Sequence, residues 1–194
     1  MISTPENKKS YLVGLDISTS CTGISIIDSK TEELVLLDYI KVPADLSLLE
    51  KADYVIDEVT GCLLREGIKT LEKVFVEENA KMFAGGLSSA DVLMTLAKFN
   101  ALISYLCYKK LTPNVSSVNV TKARGAIGFK NTKADKRPVK DKVFEFIQTL
   151  HPEFPWKTYI PKAGKMKGKE IPVPEMKDAA DAWVVVVGGK RLGL

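Results

Sequence analysis

The chain has 194 residues, 45% hydrophobic and 27% charged, with a formal net charge of +4; this is the composition of a globular protein, read here as one domain over 1–194. No unbroken apolar run approaches the roughly 20 residues of a membrane span, and the polar start Met1–Ser10 lacks a signal peptide's apolar centre, so a cytoplasmic protein without a membrane partner is expected. Three widely spaced cysteines without C-x-x-C read as reduced thiols, and the lone histidine, His151, leaves little room for a histidine metal site or a Ser-His-Asp triad.

Leu12–Ile17 and Ile24–Asp28 read as strands, joined by Ser18-Thr-Ser-Cys-Thr-Gly23, whose small hydroxylated residues and glycine suit a tight connection. A third strand follows at Leu34–Ile40. Apolar residues at Leu48, Leu49, Ala52, Val55, Ile56, Val59, Leu63 and Leu64 recur at helical spacing and predict a helix within Asp45–Glu66. Val74–Glu77 is a short β-branched and aromatic strand. Ser88 or Ser89 then caps a long helix to about Lys110, with Asp91 in its first turn. Val92, Leu93, Leu96, Phe99, Ile103, Leu106 and Cys107 form one stripe along it.

Val115–Val120 gives a fifth strand, Thr121 caps a short helix to Ile127, and 128–133 is a polar loop. An amphipathic helix is predicted over about Asp135–Leu150, with Pro138 in its first turn. The segment 152–177 breaks the pattern with five prolines, two glycines and six lysines. It reads either as a basic hairpin, with strands near Trp156–Ile160 and Lys169–Val173, or as a loop that orders on binding. The final apolar segment, Lys177–Val187, opens with Asp178 and Asp181. This element order predicts an α/β fold with a mixed sheet.

Charge is unevenly spread. Residues 109–177 hold 16 Lys/Arg against 6 Asp/Glu, a balance of +10, and the remainder 12 against 18, or −6. Such asymmetry suits a polyanionic partner. Four acids stand out against it: Asp16 and Glu77 each close an apolar strand, and Asp178 and Asp181, three apart, share one helix face. A carboxylate at the end of a buried strand is costly without a compensating cation. Hard oxygen ligands from three places point to magnesium or manganese.

Gly14-Leu-Asp16 with Thr22-Gly23, then Val74-Phe-Val-Glu77, then Asp178-Ala-Ala-Asp181, resemble in order the motifs of RuvC-type Holliday junction resolvases, nucleases of the RNase H-like superfamily. Asn119-Val-Thr-Lys122 and Lys133-Ala-Asp-Lys136 resemble the segments between them. The resemblance spans about Tyr11–Val187 and points to a phage or other divergent member. It implies an RNase H-like fold, a five-stranded mixed β-sheet flanked by α-helices. Asp16, Glu77, Asp178 and Asp181 would hold two Mg²⁺ ions, with Mn²⁺ able to substitute, about 3.5–4 Å apart for phosphodiester hydrolysis. Lys122 and Lys136 match catalytic lysines near the scissile phosphate. Nucleic-acid contacts fall to Lys122, Arg124, Lys130, Lys133, Lys136, Arg137 and Phe83. The implied activity is a crossover junction endodeoxyribonuclease of DNA recombination and repair, working on four-way junctions as a homodimer in a bacterial cell or a phage-infected host.

Glu78 adjoins Glu77 and would face the other way, so a one-residue shift exchanges them. Ile17-Ser-Thr stands where the family often has glycine, and no basic residue or histidine comes shortly after Asp181, where Val184–Val187 is all apolar. The lysines, Trp156 and Tyr159 of 152–177 either contact DNA arms or belong to a variable loop. The long helix gives either core or dimer interface. An RNA-processing nuclease, a non-catalytic junction-binding protein and a sugar-kinase-like ATPase, whose phosphate-cradling first hairpin resembles Asp16–Gly23, are the alternatives.

Overall fold

Register along one strand pair decides where the acids go. In this computed structural model, which describes residues 9–78, 90–132 and 134–194, β1 (Tyr11–Asp16) pairs antiparallel with β2 (Cys21–Asp28) and parallel with β4 (Leu71–Glu77). β3 (Leu34–Lys41) flanks β2, and β5 (Val115–Val118) lies parallel to β4, giving the order β3-β2-β1-β4-β5. This is the expected five-stranded mixed sheet flanked by helices.

Side chains alternate between the two faces of the sheet. Val13, Leu15, Val74 and Val76 point into a core shared with α1 (Leu48–Arg65) and α2 (Ala90–Leu106). Leu12, Phe75 and Val118 point to the other core, shared with α3 (Val120–Ala126), α4 (Val139–Leu150) and α5 (Met176–Arg191). Asp16 and Glu77 follow in phase with Leu12 and Phe75, so both face α5.

Local signals account for most boundaries. Ser47 and Glu50 form a reciprocal capping box on α1, and Gly67, at φ +66°, turns the chain out after its C-cap. Asn119, rather than Thr121, caps α3 by accepting from the Lys122 N–H at 3.2 Å. α4 begins at Val139, later than the periodicity implies. Asp135 accepts from the backbone N–H and guanidinium of Arg137 in a turn ahead of it, and Pro138 is the N-cap. Ser88 and Ser89 lie outside the described residues.

α5 is the central helix of its layer. Val184–Val187 are all 0% exposed, and this β-branched run is helical because burial outweighs its propensity for strand. It packs close across the first hairpin at two glycines. A Cβ on Gly14 would stand 2.3 Å from the Ala182 carbonyl oxygen, and one on Gly23 would stand 2.0 Å from that of Asp178. Any side chain at either position would lift α5, and its acids, off the sheet.

α2 runs into a π-helical turn at Cys107–Leu111. Together Ala90–Leu111 is long and apolar enough to cross a membrane by length and composition, a length that Asp91, Lys98 and Asn100 hide from a search for unbroken apolar runs. Phe99, Ile103 and Cys107 are fully buried against α1 and the sheet. Of the predicted stripe, Val92 is exposed, and on the opposite face Met94, Tyr105 and Tyr108 are 52–59% exposed. All three cysteines are free and buried.

Candidate active site

Asp16 and Glu77 are the last residues of adjacent parallel strands, so backbone pairing alone brings their carboxyls to one end of the sheet. The Glu77 carbonyl accepts from the Asn100 amide at 2.7 Å, which ties this strand end to α2. From the opposite layer, α5 supplies Asp178 in its first turn and Asp181 one turn later, the latter only 4% exposed. The structure therefore brings together the four acids singled out from the sequence. Glu78 turns elsewhere: its carboxylate accepts from the Asn119 amide at 3.2 Å. It lines a cavity of about 580 Å³ with Ser117, Asn119, Lys122, Leu192 and Leu194, and none of the four acids.

Two cations are built into the cluster. Lys140, the second residue of α4, sets its ammonium 3.4 Å from Asp16 Oδ2 and 3.5 Å from Asp181 Oδ2, and hydrogen-bonds Asp178. Burial alone would lower its pKa; the charges of Asp16 and Asp181 and the bond to Asp178 outweigh that and raise it. Arg124, from α3, donates from Nη2 to Asp181 Oδ1 at 3.0 Å, while its Nε is buried without a partner.

These cations do not neutralise the site. With all four carboxylates ionised, one lysine and one arginine would leave two negative charges, and the acids respond by holding on to protons. Burial, a hydrogen bond with Asp16 and the charges of Asp16 and Asp181 push the Glu77 carboxyl up to about 9. Burial and Asp16 also raise Asp181, against the pull of Lys140 and Arg124. An all-oxygen donor set short of positive charge is the chemistry that Mg²⁺ or Mn²⁺ satisfies. Among the described residues no three such side chains yet converge as metal ligands; the Lys140 ammonium stands between Asp16, Asp178 and Asp181. The residues fit a divalent ion in donor type and charge.

The other predicted residues separate. Arg124 is turned inward onto Asp181 rather than outward. Lys122 is exposed beside the Glu78 cavity. Lys136 and Lys130 are exposed, and among the described residues the cations that contact the acids are Lys140 and Arg124. Arg137 is held by Asp135 and Glu145. Lys133 and Phe83 lie outside the described residues. The lysine that meets the acids is thus Lys140, four residues beyond Lys136 and inside α4. With the helix read from about Asp135, Lys140 falls beyond the first turn, and only the observed start at Val139 puts it at the helix's N-terminus, where acids facing it offset the unfavourable helix dipole.

No protein-family model and no curated protein sequence matches the chain. Among solved structures, Thermus thermophilus RuvC in complex with Holliday junction substrate matches with a TM-score of 0.59 at 12% identity, over 95% of this chain and 96% of that one. A Thermus thermophilus RuvC structure matches with a TM-score of 0.56 at 13% identity, over 94% and 96%. At this identity the likeness is one of fold, and it runs over nearly the whole of both chains. The chain has the RuvC-type, RNase H-like fold.

Proposed function

We propose that the chain is a metal-dependent, structure-selective endonuclease that cuts branched DNA, four-way junctions foremost, in the cytoplasm. The observation that carries this reading is the meeting of Asp16, Asp178 and Asp181 around the ammonium of Lys140, with Glu77 joined to them through Asp16, from two strand ends and a helix. A solved neighbour with this fold holds a Holliday junction substrate.

The four acids would hold the divalent ions, Mg²⁺ with Mn²⁺ substituting. When bound, such ions supply Lewis acidity and a hydroxide nucleophile for phosphodiester hydrolysis. Lys140 keeps Asp16, Asp178 and Asp181 gathered while the site is metal-free and offers a mobile positive charge to the substrate phosphate once they are occupied. Arg124 orients Asp181. Lys122, Lys130 and Lys136 extend the surface for the DNA, the resemblance adds Lys133 and Phe83 as contacts, and Arg137 is already committed to Asp135 and Glu145. Two coordinated cuts need two such sites. The exposed Met94 and Tyr105 on α2, with Tyr108 in the π-helical turn that continues it, give an apolar face suited to a two-fold dimer.

The test is cleavage of a labelled four-way junction beside a linear duplex, a flap and an RNA–DNA hybrid, with Mg²⁺, Mn²⁺ or EDTA. Paired metal-dependent nicks in opposing junction strands, lost in Asp16→Asn and Asp178→Asn, are expected. Preference for the hybrid would move the activity to RNA processing. Binding without cutting under every metal would leave a junction-binding module.

A further inference from the structure

The segment between α4 and α5 takes no part in the acid cluster, yet it is a built element. β6 (Thr158–Tyr159) and β7 (Ile171–Pro172) form a separate two-stranded hairpin, shorter than the strands read from the sequence. Two residues a strand cannot hold a hairpin in place unaided; its base is held from outside. The Trp156 ring packs edge-on against Phe144 and Phe154, at 5.2 and 5.0 Å, and its indole N–H donates to the His151 carbonyl at 3.2 Å. Lys157 donates to Asp38 at 2.6 Å and lies over the Tyr39 ring. The Val173 N–H donates to the Lys157 carbonyl at 2.9 Å.

The tip is different in kind. Gly164 and Gly168, both at φ near +80°, turn the chain back, and residues 162–170 are all exposed. They present Lys162, Lys165, Lys167 and Lys169 against one acid, Glu170, whose carboxylate is engaged by the Thr158 hydroxyl. Among the described residues none of these four ammonium groups has an acid partner. By contrast Lys41, Lys110, Arg137, Lys140, Lys157, Lys177 and Arg191 all do. Met166 of the tip lines a groove of about 340 Å³ with Arg137, Asp141, Phe144 and Glu145, so the tip lies along the flank of α4, the helix that sends Lys140 into the acids. β7 in turn leads within four residues to α5, whose first turn carries Asp178.

We infer that the hairpin tip, Lys162–Lys169, is a second nucleic-acid contact, gripping the phosphate backbone of a duplex arm that leaves the candidate active site. This deepens the endonuclease reading and rests on it for the position of the DNA. A run of unpaired ammonium groups on an anchored base matches a polyanion of regular charge spacing, and the fixed base limits the ordering cost of binding. Lysine, a point charge without base-reading geometry, makes the contact insensitive to sequence.

The experiment compares the whole protein with K162Q/K165Q/K167Q/K169Q, and with K9Q/K69Q as a control. Lys9 and Lys69 precede β1 and β4, at the end of the sheet opposite the acids. Affinity for a four-way junction and for linear duplex is measured in EDTA from low to moderate salt. Cleavage is measured in Mg²⁺ at saturating protein. The tip variant should bind both DNAs roughly 10- to 100-fold more weakly at 0.15 M salt, with a log–log salt slope shallower by about 2–4. Its saturated cleavage rate and thermal midpoint should match the wild type. Affinity and slope within twofold of wild type, or an equal loss in the control, would overturn the inference and assign the tip to another partner, such as an acidic protein surface. Wild type that binds with a tip-dependent slope but never cuts would leave this contact standing and remove the endonuclease. Wild type that binds no DNA at low salt would remove both.

Discussion

Lys140 hydrogen-bonds Asp178 across the gap between α4 and α5, and the same ammonium lies within 3.5 Å of Asp16 and Asp181. One side chain thus does the electrostatic work that a divalent ion would take over. Replacing it by methionine keeps most of its stem and removes the charge. The acids then repel without a mediator, and because the lysine is 41% exposed the loss is about 1–2 kcal/mol rather than that of a fully buried pair. Thermal midpoints of Lys140→Met and wild type, in EDTA and in millimolar Mg²⁺, check this. The variant should be the less stable in EDTA, the gap should narrow with Mg²⁺, and Mg²⁺ should bind it more tightly. Cleavage should fall.

Glu77 predicts a pH dependence. Its folded-state pKa, about 9, lies above the ordinary glutamate value because of burial, the hydrogen bond with Asp16, and the charges of Asp16 and Asp181. Between that ordinary value, near 4.3, and about 9 the folded metal-free protein holds a proton that the unfolded chain has released. Stability without metal should therefore decline as pH rises through this window. Glu77→Gln should flatten the decline. Protons and divalent ions compete for the same carboxylates, so Mg²⁺ affinity should rise over the same range. Urea midpoints and metal titrations at pH 6, 7.5 and 9 give both trends; a midpoint for wild type that rises with pH would contradict the assignment.

The sheet and its acids were legible because each rests on a local pattern. Asp16 and Glu77 close short alternating strands, and Asp178 and Asp181 have the spacing of one helix face. The cation that meets the acids was less legible for the opposite reason. Lys136 and Lys140 lie four residues apart in a lysine-rich stretch, and which of them meets the acids depends on where α4 begins. The Asp135–Arg137 turn and Pro138 delay that start to Val139. Arg124 read as an outward contact because nothing in its neighbourhood shows that α3 lies against α5. Thr121 lost the cap to Asn119 because two residues with capping side chains stood close together. The hairpin at 158–172 stayed ambiguous because its base is held by Trp156, Phe144 and Asp38, partners from three parts of the chain.

α2 predicts an assembly. Met94, Tyr105 and Tyr108 lie on a face not covered by α1 or the sheet, and a two-fold contact through it would bury them against their own copies. Tyr105→Glu places like charges close to the axis while leaving Phe99 and Ile103 in the core. Sedimentation should show a dimer for wild type and a monomer for the variant, with unchanged circular dichroism. Junction nicking should then become unpaired. A wild type that is monomeric at micromolar concentration would remove the assignment of this face.

Gly23 is the strictest test of how the fold makes the site. It pairs with Asp16 across the first hairpin, and a Cβ there would come 2.0 Å from the Asp178 carbonyl oxygen and 2.8 Å from the Ala179 nitrogen. These atoms belong to the backbone of α5 and cannot swing aside, so Gly23→Ala must displace the helix's first turn. The expected cost is about 2–4 kcal/mol, as for overpacking a close-packed contact. The loss should also be local in kind, since Asp178 moves with its carbonyl while the valines farther along α5 stay packed. Urea denaturation should show the lower stability. At a urea-free temperature well below the midpoint, cleavage and Mg²⁺ affinity should both be strongly reduced while far-UV circular dichroism stays near wild type. Gly67→Ala is the matching control, because no atom lies within 4 Å of a Cβ there and its φ of +66° carries only local backbone strain; it should cost about 1 kcal/mol and leave Mg²⁺ affinity untouched. Equal effects of the two substitutions on Mg²⁺ affinity would mean that the approach of α5 to the first hairpin does not set the position of Asp178.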